Sequence, residues 1–90
     1  MAQAIVDPAE LRRFAVMLKK FNNELGERLG ALSNQLNDLT NSWRDQEKTK
    51  FRIEFEQHMK MIKNFIEANN QHIPYLLRKA ERIEEYMQQR

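Results

Sequence analysis

Ninety residues suffice for one domain at most. Charged side chains make up 31% and glycine plus proline only four positions, which suits long helices better than β-structure, disorder or loops. The absence of cysteine excludes disulfides, thiolate metal sites and cysteine nucleophiles, and says little about compartment.

The opening MAQAIVDPAELRR has no basic region followed by an apolar block, so it is not a secretory leader. No stretch approaches the ~20 apolar residues of a bilayer span. The sequence therefore predicts a soluble product, cytoplasmic or exported by a route that reads no cleaved signal. Net charge is +2, with Lys and Arg against Asp and Glu at 6 to 6 before residue 46 and 9 to 7 after it. Such a small excess disfavours nucleic acid as the partner.

DPAE at residues 7–10 predicts a helix start: Asp7 caps, Pro8 takes the first helical position and Glu10 completes a capping box. Apolar residues then fall at Leu11, Phe14, Leu18, Phe21, Leu25, Leu29, Leu32, Leu36, Leu39 and Trp43, always three or four apart. The seam resembles a coiled coil with one extra step of four between Leu25 and Leu29. Beside it runs a strip of small residues, Ala15, Asn22, Gly26, Gly30, Ser33 and Thr40. Each glycine costs a helix about 1 kcal/mol, so Gly26 and Gly30 are expected to permit close approach of another backbone.

Between Leu39 and Phe51 the only apolar residue is Trp43, and its neighbours TNS and RDQ favour helix ends. A turn over residues 42–45, with Asp45 or Ser42 capping the second helix, is the economical reading. One uninterrupted helix from residue 8 to about 70 is the rival, because no glycine or proline punctuates the gap.

The second stripe runs through Phe51, Phe55, Met59, Ile62, Phe65, Ile66, Ile73, Leu76, Leu77, Ala80, Ile83 and Met87, flanked by Met61, Ala68, Tyr75 and Tyr86. It covers roughly 120° against 80° for the first, and a broader face predicts more than one neighbour. Pro74 predicts a kink or short break near 69–74. Asn69 falls inside the stripe, where it is expected to face water opened by that kink.

Two helices of 35–40 residues would be roughly 50–60 Å long and could not cover each other's apolar surface. Packing on a second hairpin solves this, giving a four-helix bundle.

Chemistry is sparse. His58 and His72 lie about 21 Å apart along a helix and cannot share a metal within one chain. No HExxH, phosphate-cradling loop or nucleophile elbow occurs. The basic groups Arg12-Arg13, Lys19-Lys20, Lys48-Lys50-Arg52 and Arg78-Lys79-Arg82 are interspersed with glutamates. Neither an enzyme nor a cofactor or metal site is expected.

The lone Trp43 at the join, the pair Phe51 and Phe55 after it, and the late pattern through Ala80 and Ile83 to Tyr86 resemble the WXG100 (ESAT-6-like) family over nearly the whole chain. The pattern departs at two places. The family's tryptophan is followed two residues later by glycine, here Asp45. The Tyr-x-x-x-Asp/Glu signal of many exported members is missing, since Lys79 follows Tyr75 and Arg90 follows Tyr86. The resemblance implies a homo- or heterodimeric bundle exported folded by a type VII (ESX-like) system, with a secretion ATPase as a further partner. It also makes Trp43 and Asp45 the hairpin-tip motif.

The sequence thus predicts an all-α antiparallel hairpin (helix over 8–41, turn over 42–45, helix over 46–88) that dimerises with itself or a paralogue. Its expected core and dimer interface comprises Leu11, Phe14, Leu18, Phe21, Leu25, Leu29, Leu32, Leu36, Phe51, Phe55, Met59, Ile62, Ile66, Ile73, Leu76 and Ile83. A Rop-like hairpin dimer binding RNA and a structural coiled-coil adaptor are the alternatives.

Overall fold

The computed structural model describes residues 6–88, and they form two antiparallel helices, α1 (Pro8–Ser42) and α2 (Glu47–Gln88), joined through residues 43–46. The uninterrupted helix is thereby ruled out: the molecule measures 70 × 20 × 14 Å, one helix layer thick.

Local chemistry sets each boundary. Asp7 is extended, and its carboxylate accepts from the Ala9 amide at 2.9 Å ahead of Pro8. The Glu10 carboxylate lies 3.9 Å from Arg13. At the far end the Ser42 hydroxyl donates back to the Leu39 carbonyl at 3.1 Å, and Trp43 leaves the helix at φ −85°, ψ 124°. The next helix begins where Asp45 Oδ1 accepts from the Glu47 amide at 2.9 Å. Among the described residues none has positive φ, so this turn closes without glycine. Beyond it α2 continues unbroken through Pro74, which sits on an exposed side where a carbonyl lacking its helical donor can be hydrated.

The line where the helices meet is lined by small and polar side chains. Buried there are Ala15, Asn22, Leu36 and Thr40 of α1 and Ala80 of α2. Half of the strip beside the leucine seam is therefore the intramolecular contact. Gly26 and Gly30 are the exception, because a Cβ built on either meets nothing within 4 Å. They permit no close approach within the chain.

Three polar contacts set the pairing along the hairpin's length. Near the turn, Arg52 donates to Thr40 Oγ1 and Asn37 Oδ1, both at 2.8 Å, and to Glu56 at 3.0 Å. Midway, Asn69 donates to Asn22 Oδ1 at 3.1 Å, while Asn22 donates to Asn70 Oδ1 at 3.0 Å. Asn69 is thus half-buried between the helices and does not face water at a proline kink. Away from the turn, Arg12 meets Glu84 in a two-pronged pair at 2.6 and 3.2 Å. A planar guanidinium matches a carboxylate in this way, and an asparagine cluster satisfies itself only in one alignment.

The hydrogen bond from Arg12 holds the Glu84 carboxyl below its ordinary range, against the opposing effect of burial and with help from the guanidinium charge. A lowered folded-state pKa means that this pair stabilises the hairpin above the unfolded value of 4.5 and is lost as pH falls through the lowered one. Thermal melts of Glu84→Gln should accordingly lose less stability below pH 4.5 than the wild type does. Equal acid sensitivity would show that the pair contributes nothing.

Candidate functional site

A helix advances about 100° per residue, which sorts each hairpin flank by content. Phe14, Phe21, Leu32 and Leu39 lie to one side of the buried line of α1 and are exposed. Gly26, Gly30 and Asn37 lie to the other. On α2 the exposed Phe51, Phe65 and Tyr75 share a side with His58 and His72. Phe14 and Leu18 line one groove with Asn69, His72, Tyr75 and Leu76, which joins the two apolar flanks into a single open face.

The opposite face carries the Arg52 and Arg12 contacts. There Gly26, Gly30 and Ser33 line a groove of about 640 Å³ with Glu56, Lys60 and Lys63. One face of the hairpin is clasped and polar, the other open and apolar.

Leu36 lies fully within the hairpin. Leu11, Leu18, Leu25, Leu29, Phe55, Met59, Ile62, Ile66, Ile73, Leu76 and Ile83 are partly buried along it. Phe14, Phe21, Leu32 and Phe51 face outward. The expected interface set therefore divides into an inner seam and an outer stripe.

At the tip, Trp43 is half-buried and its ring centroid lies 5.3 Å from that of Phe51, which stacks on Phe55 at 5.5 Å. The indole N–H donates to Asp45 Oδ1 at 2.7 Å, the same oxygen that caps α2. One carboxylate thus starts the helix and orients the indole. Its ring still edges a cleft with Phe51 and the side chains of Glu47, Lys50 and Glu54.

The tip thus carries the chain's single tryptophan, in the stretch Trp43, Arg44, Asp45. The family model for WXG100, proteins of 100 residues with WXG, matches residues 3–87. The chain belongs to the WXG100 family. No curated protein matches it in sequence. Two crystal structures of the secreted protein EsxB from Bacillus anthracis strain Sterne are similar to it, each with a TM-score of 0.77 and 27% identity. One is a point mutant, aligned over 93% of this chain and 97% of its own; the other is selenomethionine-labelled, over 96% and 98%.

Within this WXG100 hairpin the residues missed by sequence reasoning are polar. Arg52 reads as one of several surface cations, and Asn37 gives no signal, because nothing in their spacing says that one guanidinium will span both helices and reach Thr40. Their engagement, and that of Arg12 by Glu84, also removes cations from any nucleic-acid surface. Among the described residues no helix is long and apolar enough to cross a membrane. Arg90 lies outside the described residues.

Trp43→Ala should cost about 2 kcal/mol in a denaturant melt, below the ~3–5 kcal/mol of an enclosed aromatic, because part of the side chain already meets water. An unchanged midpoint would show that the ring does no packing. Gly26→Ala and Gly30→Ala should each raise stability by about 0.5–1 kcal/mol, since helix propensity improves and the added methyl meets open space. A loss at either glycine would place another backbone against this groove.

Proposed function

We propose that this WXG100 protein is a non-enzymatic interaction module that pairs through its open face into a four-helix bundle and serves a type VII (ESX-like) secretion system. The observation that carries the pairing is uncovered surface. The chain exposes 7370 Å², whereas a compact monomer of its mass would expose about 5,600 Å². The excess of roughly 1,800 Å² per chain, doubled, falls in the range of obligate dimers. Its apolar part is concentrated on one face, where Phe14, Phe21, Leu32, Phe51 and Phe65 stand in a row of outward side chains. Isolated exposed apolar residues are ordinary; a contiguous set along a 70 Å rod marks a protein contact.

The link to secretion rests on family membership and on the likeness to EsxB, described as a secreted protein. The partner is a copy of this chain or a paralogous hairpin. The chain is made in the cytoplasm and leaves it folded, without cleavage of a signal peptide. With Lys79 and Arg90 at the positions of the usual acidic signal residue, a secretion ATPase would have to read another subunit or the Trp43 tip.

Light scattering should return twice the chain mass of 10.9 kDa, and Leu32→Asp should drive the protein to monomer with loss of thermal stability. A wild-type monomer melting cooperatively at micromolar concentration would remove the pairing. For export, tagged protein should accumulate in the medium of a strain with an intact type VII ATPase and stay in the cells of its deletion. Equal distribution in both strains would remove the secretion role.

A further inference from the structure

Measured from the buried Ala80 at about 100° per residue, the charged side chains near the end of α2 separate by sign. Glu84, Glu81 and Glu85 fall at about 40°, 100° and 140°. Arg78, Arg82 and Lys79 fall at about 160°, 200° and 260°, with Tyr75 and Tyr86 between Arg82 and Lys79. Residues that alternate in the stretch RKAERIEEY therefore occupy two sides of the helix. Arg12 holds Glu84 on the clasped face. Among the described residues none of the three cations forms an ion pair, although Glu81 and Glu85 each follow an arginine by three places.

The basic stripe is the outer edge of α2. Ala80 is buried against α1, so Arg82 points almost directly away from it. Arg78 and Arg82 are exposed, Lys79 is half-buried, and Tyr86 retains 68% of its surface. Tyr75 stands where this edge meets the open face, beside Phe14 and His72. A partner stacked on the open face leaves Arg78 and Arg82 in water, so the edge is separate from the pairing surface.

We propose that this edge receives an acidic helical segment of another protein, with carboxylates one turn apart on Arg78 and Arg82 and apolar side chains on the two tyrosines. Spacing supports a helix as the occupant. Arg78 and Arg82 lie about 6 Å apart along α2, the interval at which a second helix repeats its own side chains. Each guanidinium presents a planar fork that takes one carboxylate in two parallel hydrogen bonds. Tyr75 and Tyr86 bracket the arginines about 16 Å apart. Phenol rings lose little conformational freedom on binding, and tyrosine and arginine are the residues enriched at protein contacts.

Other anions fit this edge less well. A nucleic acid draws its affinity from the number of phosphates neutralised, and three cations bordered by Glu81 and Glu85 neutralise few. A lipid surface requires large apolar side chains that dip below the headgroups, and none stands on this edge between Tyr75 and Tyr86.

The test probe is a synthetic helical peptide of about four turns, with glutamates one turn apart on one face and a leucine beyond each end of that row. A counterpart carries glutamine at every glutamate position. Titrated into the isotope-labelled full chain at low salt, the glutamate peptide should shift the amide resonances of residues 75–86. It should bind about tenfold tighter than the glutamine peptide. Arg78→Gln with Arg82→Gln should lose that tenfold, and Tyr86→Ser should lose about threefold. Lys19→Gln with Lys20→Gln removes the same charge from exposed positions of α1 and should leave affinity within about twofold. Equal losses from the two double variants would overturn the proposal, leaving net charge as the cause. So would resonance shifts confined to other residues, an unchanged affinity of Tyr86→Ser, or tighter binding to phosphatidylglycerol vesicles or single-stranded DNA than to the peptide. The substituted side chains are exposed, and circular dichroism of each variant separates a folding failure from lost binding. Light scattering on the same samples reports pairing independently, because this edge is free in the single hairpin and in the bundle alike.

Discussion

Two parallel cylinders touch along one line, and that limit governs everything else about this molecule. A radius of gyration of 20.3 Å, where a globular chain of this length would have about 12 Å, means that there is almost no interior to fill. Among the described residues only Ala15, Leu36 and Ala80 of the apolar side chains are buried. The hydrophobic effect scales with area removed, so a two-helix layer leaves most of its potential stabilisation unused. What it does not hide becomes the material for recognition.

The leucines of α1 show how the division arises. Leu11, Leu18, Leu25, Leu32 and Leu39 repeat every seven residues, and in a straight helix such a series drifts by about 20° per step. Near the start of α1 these leucines are partly buried against α2. By Leu32 and Leu39 they retain 44% and 47% of their surface. Leu36, off the repeat, takes the inner position instead. The same stripe thus serves the hairpin at one end and the open face at the other.

Specificity within the hairpin falls to polar groups. Apolar seams tolerate sliding by a turn, whereas Asn22 with Asn69 and Asn70, Arg52 with Thr40 and Asn37, and Arg12 with Glu84 each satisfy their hydrogen bonds in one alignment. The outer two of these contacts lie on the clasped face, which leaves the aromatic flank free for a partner. At the tip, Asp45 does with a side chain what a glycine would do with backbone freedom. It caps α2 and holds the indole, so the departure from the family pattern keeps the turn.

By itself the sequence determined the all-α class, the two stripes and the capping at Asp7, because each depends on spacing or on chemistry within a few residues; the reversal at Trp43 was the more economical of two readings, and the structure decided it. Kinship with the WXG100 family was legible for the same reason: its marker is a tryptophan at a helix join. Only the tertiary structure decided which half of each stripe faces inward, since periodicity fixes a face to within tens of degrees and burial turns on less. It alone showed that Gly26 and Gly30 border open space and that Asn69 is bound between the helices. It also revealed Arg52 spanning both, because contacts between residues distant in the chain have no local signature.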